Sequence, residues 1–267
     1  MNIDINLLKQ LRELTNAPLK DCKEVLVEAQ GDLTQAQELL KQKGAIKAVS
    51  KADREVKEWV VKIQSIGGKT VWIRLGCETD FVAKNEKFVS IAQQMVDRLA
   101  QESDFDGVEH ISQNTMTELD TMMKDNFVAI GENMKICDAF VRSGQSYIYV
   151  YSGEKIGTAI FYETLSDSAQ DAVKEVALQI IAMNPEYLDM DNISQDAKDR
   201  LKSEFTAEMQ NSGKPANIIE NIVAGKIQKE LWSVTLLEQA FFKDESKKVK
   251  DIIAGKARIT SFVRIGF

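Results

Sequence analysis

Residues 59–77 read WVVKIQSIGGKTVWIRLGC. Two runs of strand composition, 59–66 and 69–77, flank Gly67-Gly68, and a pair of glycines is what a two-residue hairpin loop favours, because its central residues take positive φ. Along the second run Val71, Ile73, Leu75 and Cys77 share one face, with Trp72 and Arg74 on the other, since side chains alternate in a strand. Residues 78–82 then leave the sheet. Phe88, Ile91, Ala92, Met95, Val96 and Leu99 recur at helical spacing and predict a long amphipathic helix. Another helix is expected over 115–130, ended by Gly131. Hairpin strands followed by helices that bury one face read as an α+β fold.

Upstream of the hairpin the period is helical. Leu7, Leu8, Leu11 and Leu14 form one stripe, and Leu19, Cys22, Val25, Leu26 and Ala29 a second. Pro18 suits a first helical turn, and Gly31 can end the second helix in a left-handed conformation. Asp32 caps a third helix, with Gln35 in the capping-box position. Its apolar face is Leu33, Ala36, Leu39 and Leu40, and Gly44 is expected to close it. Residues 45–58 are rich in charge and read as a linker, partly helical. Downstream, strands are expected at 134–141, 147–151 and 156–162, then a helix over 169–182 that stops before Pro185. Helices over 194–210 and 215–231, joined by Ser212-Gly213-Lys214, read as an antiparallel hairpin. A helix over 246–254 and a strand over 258–265 follow. The apolar stripes of the hairpin (Leu201, Phe205, Met209; Ile218, Ile222) are expected mainly to pack internally.

The implied organisation is a three-helix docking domain over 1–50, a first core subdomain over 55–140, a second from 141–185 with 232–267, and a helical hairpin inserted at 186–231. The core is thus in two parts, each of antiparallel sheet packed with helices.

The balance of charge narrows the function. With 41 acidic against 34 basic residues and a net charge of -7, the chain lacks the basic surplus of a nucleic-acid binder. Cys22, Cys77 and Cys137 are scattered and form no CxxC, which suits reduced thiols. One histidine, His110, cannot build a histidine triad or a multi-histidine metal site. No P-loop, HExxH or GxSxG run appears. No stretch has the length of a membrane helix, and the N-terminus lacks the features of a secretory signal. A cytoplasmic protein without cofactor or metal is expected, and most enzyme readings are weakened, with a site built on carboxylates alone left open.

Two runs carry a specific resemblance. Leu11-Arg12-Glu13-Leu14-Thr15 with Asp21-Cys22-Lys23-Glu24-Val25-Leu26, and Cys77-Glu78-Thr79-Asp80-Phe81-Val82-Ala83-Lys84, resemble the two signatures of the elongation factor Ts family, in the same order along the chain. Gly44-Ala45-Ile46-Lys47-Ala48, Ile130-Gly131-Glu132-Asn133, Ile156-Gly157 and Ser212-Gly213-Lys214-Pro215 add to the likeness. Departures are Pro18, Arg74, Cys137-Asp138, and Ser152 where the family often has a histidine. The sequence ends at Phe267, so contacts made by the C-terminal module of longer members are expected to be missing.

The resemblance implies a guanine nucleotide exchange factor whose partner is elongation factor Tu. It implies that Thr79, Asp80, Phe81 and Val82 push against the GTPase domain near its Mg²⁺ and phosphate site. It also implies that the N-terminal bundle docks on the same domain, with Arg12 and Lys23 as candidate contacts, and makes Ser152 and Gly153 candidates for a further contact. Self-association through the helical hairpin is an additional expectation. From spacing alone, Phe81 reads equally as a core residue, Asp80 as a helix cap or Asx turn, and Arg12 and Lys23 as solvated helix faces. Three other readings stay open: a ubiquitin-associated-like binding module without exchange activity, an enzyme built on Glu78 and Asp80, and RNA binding through the tract 47–57.

Overall fold

The computed structural model describes residues 4–151, 153, 155–209 and 215–266. They form two compact units, one within 4–144 with 150–156 and 265–266, the other within 145–149 with 157–264.

The first unit opens with α1 (Ile5–Thr15), α2 (Leu19–Glu28) and α3 (Leu33–Lys51). Asp4 accepts from the Asn6 N–H at 2.8 Å to cap α1, and Asp32 accepts from the Gln35 N–H at 2.8 Å to cap α3. Each bond satisfies one of the orphan donors of a helix start. Gly31, at φ 88°, donates to the Leu26 carbonyl and closes α2. Leu11, Cys22, Val25, Leu26, Ala36 and Leu40 form the bundle core. Leu14 and Leu19 fall on the expected stripes yet stand exposed.

Gly44 does not close the third helix. It lies buried inside α3, which runs on to Lys51 through half of the expected linker. The reason is packing: a Cβ at Gly44 would stand 2.3 Å from Val128 Cγ2 on a neighbouring helix. Glycine is retained here for close approach, at the expense of helix propensity.

The hairpin forms as expected. β1 (Glu58–Ile66) and β2 (Lys69–Cys77) pair antiparallel with Ile66 opposite Lys69. Gly67 and Gly68 have φ 59° and 78°, the backbone of a type I′ turn. After β2 come α4 (Asp80–Ala83), α5 (Glu86–Leu99), β3 (Phe105–Asp106), α6 (Gln113–Ile130) and β4 (Lys135–Ser143). The antiparallel sheet has the order β1-β2-β4-β3. Its register shifts between Arg74 and Leu75, leaving Cys137 as the extra residue of a bulge. Val71, Ile73, Leu75 and Cys77 share one core with Phe88, Ile91, Ala92, Met95, Val96 and Leu99 of α5. Trp72, on the opposite face, is also buried and meets Phe140 at 5.4 Å.

β5 (Ser146–Tyr151), β6 (Ile156–Thr164), α7 (Ala169–Met183), α8 (Gln195–Met209), α9 (Ala216–Val234), β7 (Ala240–Phe241), β8 (Asp244–Lys248), α10 (Val249–Ile253) and β9 (Ala257–Ile265) complete the chain. The second sheet has the order β5-β6-β9. Ile160, Val173, Val176, Ile180, Leu236 and Val249 are prominent in its core. The helix expected over 246–254 is shorter, because residues 244–248 pair with β7 instead. Asp244 accepts from the Ser246 N–H and hydroxyl and shapes the turn, while Lys248 donates its N–H to Asp251 and starts α10 only there. α8 and α9 pack on each other, but α8 buries no residue completely and Ile218 is exposed. Internal packing therefore accounts for only part of those stripes. Ser212-Gly213-Lys214 lies outside the described residues.

Candidate functional site

The loop after β2 ends in a single turn of helix. Thr79 has extended backbone and caps α4, its Oγ accepting from the Val82 N–H at 3.4 Å. Asp80 is thus the first residue of the turn and not its cap. Within α4 Ala83 is buried and Val82 packs partly on the sheet core. Phe81 points away from both and is 83% exposed. A turn of helix advances about 100° per residue, so once Ala83 faces inward, Phe81 must face out. The core reading of Phe81 is therefore wrong. A large aromatic ring stands in water at the apex of a short loop.

That loop is held at its base by charge-assisted hydrogen bonds. The Glu132 carboxylate accepts from the Glu78 N–H at 3.0 Å, the Thr79 N–H at 2.9 Å and the Thr79 hydroxyl at 2.6 Å. In return the Glu78 carboxylate accepts from the Asn133 N–H at 2.7 Å and from Arg54 at 3.2 Å. The bond from Asn133, and then Arg54, holds the Glu78 carboxyl below its usual range. Asn133 also donates to the Ala52 and Arg54 carbonyls at 3.1 and 2.7 Å. Lys51 donates to the Gly131 carbonyl at 2.6 Å, at the left-handed end of α6. Three segments therefore meet in one junction: the end of α3, the turn after α6 and the start of the loop.

Asp80 is half-exposed and paired with Lys84 at 2.9 Å, one helical turn away. The Lys84 ammonium holds the Asp80 carboxyl below the usual range. Cys77, buried beneath the loop, donates to the Thr79 carbonyl at 3.3 Å. Burial and then the nearby Glu132 charge push its thiol up to about 12. It is a packed, protonated thiol, not a nucleophile.

The turn between β5 and β6 is tied to the same end of the first sheet. Lys155 pairs with Glu58 at 2.6 Å, and Glu58 is the register partner of Cys77. Trp59 Nε1 donates to the Lys155 carbonyl at 2.9 Å. Gly153 in this turn has φ 63° with open space where a Cβ would be.

Among the described residues, no group of three or more His, Cys, Asp or Glu side chains could hold a metal ion, and no helix is long and apolar enough to cross a membrane. A family model described as Elongation factor TS matches residues 78–267. An elongation factor Ts of Hydrogenobaculum sp. is 38% identical over 264 residues, covering 96% of either chain. An elongation factor Ts of Aquifex aeolicus is 35% identical, covering 95% of this chain and 92% of its own. One from Nitratiruptor sp. is 37% identical, covering 99% and 92%. The chain belongs to the elongation factor Ts family.

As a member of the elongation factor Ts family, the chain is a translation elongation factor. The matched region begins at Glu78, the residue from which the loop departs. Of the residues singled out in the sequence, the structure brings the loop of Thr79, Asp80, Phe81 and Val82 and the turn of Gly153 to one end of a sheet. Arg12 on α1 and Lys23 on α2 are exposed on the bundle, without ion pairs among the described residues. Ser152 lies outside the described residues. What sequence reasoning missed is the support: Glu132, Asn133 and Arg54. Gly131-Glu132-Asn133 stood out only as a family-like run. No local pattern says that Glu132 reaches back 53 residues to Thr79.

Proposed function

We propose that this chain is a guanine nucleotide exchange factor. In this reading it binds GDP-bound elongation factor Tu and promotes replacement of GDP by GTP by disturbing the Mg²⁺ and phosphate site. The observation that carries the reading is Phe81: a ring that is 83% exposed on a loop whose base is fixed by five hydrogen bonds. A wedge needs both the exposure and the rigid mount.

Magnitudes divide the work. Burying one Phe in a partner contributes about 1.5–3 kcal/mol, and loosening a ligand about ten-thousandfold takes about 5.5 kcal/mol of differential binding. The rest must come from docking surfaces. Leu19, Lys23 and Val27 fall at helical spacing on one exposed stripe of α2, which suits that task, and Arg12 on α1 is exposed as well. The coupling is reciprocal, so GDP weakens this chain's hold on its partner as much as the chain weakens GDP. Release then needs only fresh nucleotide and no covalent step.

The competing readings find less support. Glu78 is ionised and spent on Asn133 and Arg54, and Asp80 is paired with Lys84, so neither has the raised pKa of a general acid. Lys47 pairs with Asp21, Lys51 with a carbonyl and Lys57 with Glu55, which leaves little basic charge for RNA. A cytoplasmic location follows from the proposed partner.

The test is release of fluorescent GDP from elongation factor Tu. Wild-type chain should accelerate it strongly, and Phe81→Ala should reduce the acceleration about tenfold or more. Acceleration that Phe81→Ala leaves intact would move the mechanism to the docking surfaces. No acceleration by the wild type would sink the proposal and leave the bundle as a binding module.

A further inference from the structure

We infer that Glu132 is a positioning residue for Phe81: its carboxylate sets where the exposed ring is presented, and so sets the maximal rate of exchange without itself meeting the partner. The inference rests on the exchange reading above.

Three observations carry it. First, one carboxylate takes three donors, all from the two residues that precede α4: the N–H groups of Glu78 and Thr79 and the Thr79 hydroxyl. Second, that hydroxyl bond fixes the Thr79 rotamer, and the same oxygen accepts the Val82 N–H that caps α4. A helix of only four residues cannot hold its own shape, because nucleation fixes several dihedrals for little return. Its geometry must be supported from outside: Val82 and Ala83 pack on the sheet core, and Glu132 supplies the hydrogen bonds that fix where the turn starts. Third, among the described residues the polar contacts on the Phe81 side stay within the loop. Asp80 and Lys84 pair within the loop itself, and Phe81 stands in solvent.

Charge-assisted hydrogen bonds to backbone N–H groups are about twice as strong as neutral ones. Removing Glu132 releases three of them together, yet exposes no apolar core, since the donors lie near the surface and find water. The loop then keeps the packing of Val82 and Ala83 but loses the fixed start of its turn, and the ring is presented over a wider range. A displaced wedge fails where a missing wedge fails, and at no other step.

The experiment is a double-mutant cycle in the GDP-release assay, read as the rate at saturating exchange factor and as the half-saturating concentration. The four proteins are wild type, Phe81→Ala, Glu132→Ala and the double variant. Glu132→Ala should lower the saturated rate about tenfold, the scale of one charge-assisted bond, and move the half-saturating concentration less than about twofold. In the Phe81→Ala background the same substitution should have no further effect. Amide exchange at Thr79 should accelerate at least tenfold in Glu132→Ala while the amides of α5 keep their protection. Should that variant fail to fold, Glu132→Gln, which keeps one acceptor oxygen, takes its place with a smaller loss in the same cycle.

An additive loss in the double variant, or a rise in half-saturating concentration with an unchanged saturated rate, would overturn the inference, because Glu132 would then act on the partner or on stability. A loss confined to Phe81→Ala would overturn it too, while leaving the exchange function standing. A wild-type chain that releases no GDP would overturn both.

Discussion

Replacing Gly44 by alanine sets two known effects against each other at one atom. Alanine in a helix interior is favoured over glycine by about 0.5–1 kcal/mol. On an open helix face that gain would be realised. Here the new Cβ would stand 2.3 Å from Val128 Cγ2, more than 1 Å inside the distance of about 3.5–4.0 Å at which carbons rest. Val128 is β-branched and is held near one χ1 well by its own helix, so it cannot swing aside freely. Overpacking of this kind costs about 1–3 kcal/mol. The net expectation is destabilisation of the α3–α6 contact by about 0.5–2 kcal/mol. Because the chain has two compact units, a single unfolding midpoint would blur the effect. Amide hydrogen exchange along α3 reads it directly, with exchange faster by about 2–30-fold. Val128→Ala in the same chain should remove the clash and restore protection. Slower exchange in Gly44→Ala, or a loss that Val128→Ala fails to relieve, would show that glycine is not there for close approach.

Other substitutions and conditions test the remaining claims. Phe81→Ala should change stability by less than about 0.5 kcal/mol, since the ring is exposed; a drop in thermal midpoint of several degrees would mean that the ring packs at home. Lys84→Met should move the Asp80 titration upward toward the ordinary aspartate range, seen by carboxyl ¹³C NMR, because Lys84 is the first cause of its depression; an unmoved titration would mean that the pair does not persist in solution. Cys77 should resist alkylation at pH 8 in the folded protein and react once urea is added; ready labelling would contradict its burial. Its raised thiol pKa has a definite sign. The folded state holds that proton where the unfolded state has lost it. The contribution is therefore complete below the ordinary thiol pKa and fades as pH rises toward about 12. Cys77→Ala should flatten that alkaline decline.

The parts that could be read in advance are those with local causes. Gly67-Gly68 names its turn type because only that dipeptide's conformational freedom is at stake. The stripe of α5 can be read because a single helix face carries all of it. Gly44 was misread for the opposite reason. A glycine near a charged stretch ordinarily ends a helix, and the Val128 side chain that gives it another use comes from a distant part of the chain. Phe81 was ambiguous because hydrophobicity does not say which side of a four-residue turn faces in; the burial of Ala83 decides it. Glu132 was invisible as a support, because a carboxylate's partners are set by the folded path. The strand 244–248 looked helical because its charged residues pair with only two residues of β7, too short a partner to leave an alternating pattern.

The continuity of α3 through Gly44 makes the molecule a gauge. An uninterrupted 19-residue helix is a strut of about 28 Å, and its far end is bonded into the junction that mounts the loop. Whatever grips the bundle is presented with Phe81 at one preset reach. A flexible tether would offer the ring over a wide volume, dilute everywhere and tolerant of many partners. A stiff one offers it at high local concentration to a surface of matching span, and offers nothing to a surface that is too long or too short. Selectivity for the right partner can thus reside in a length, before any side chain has been compared.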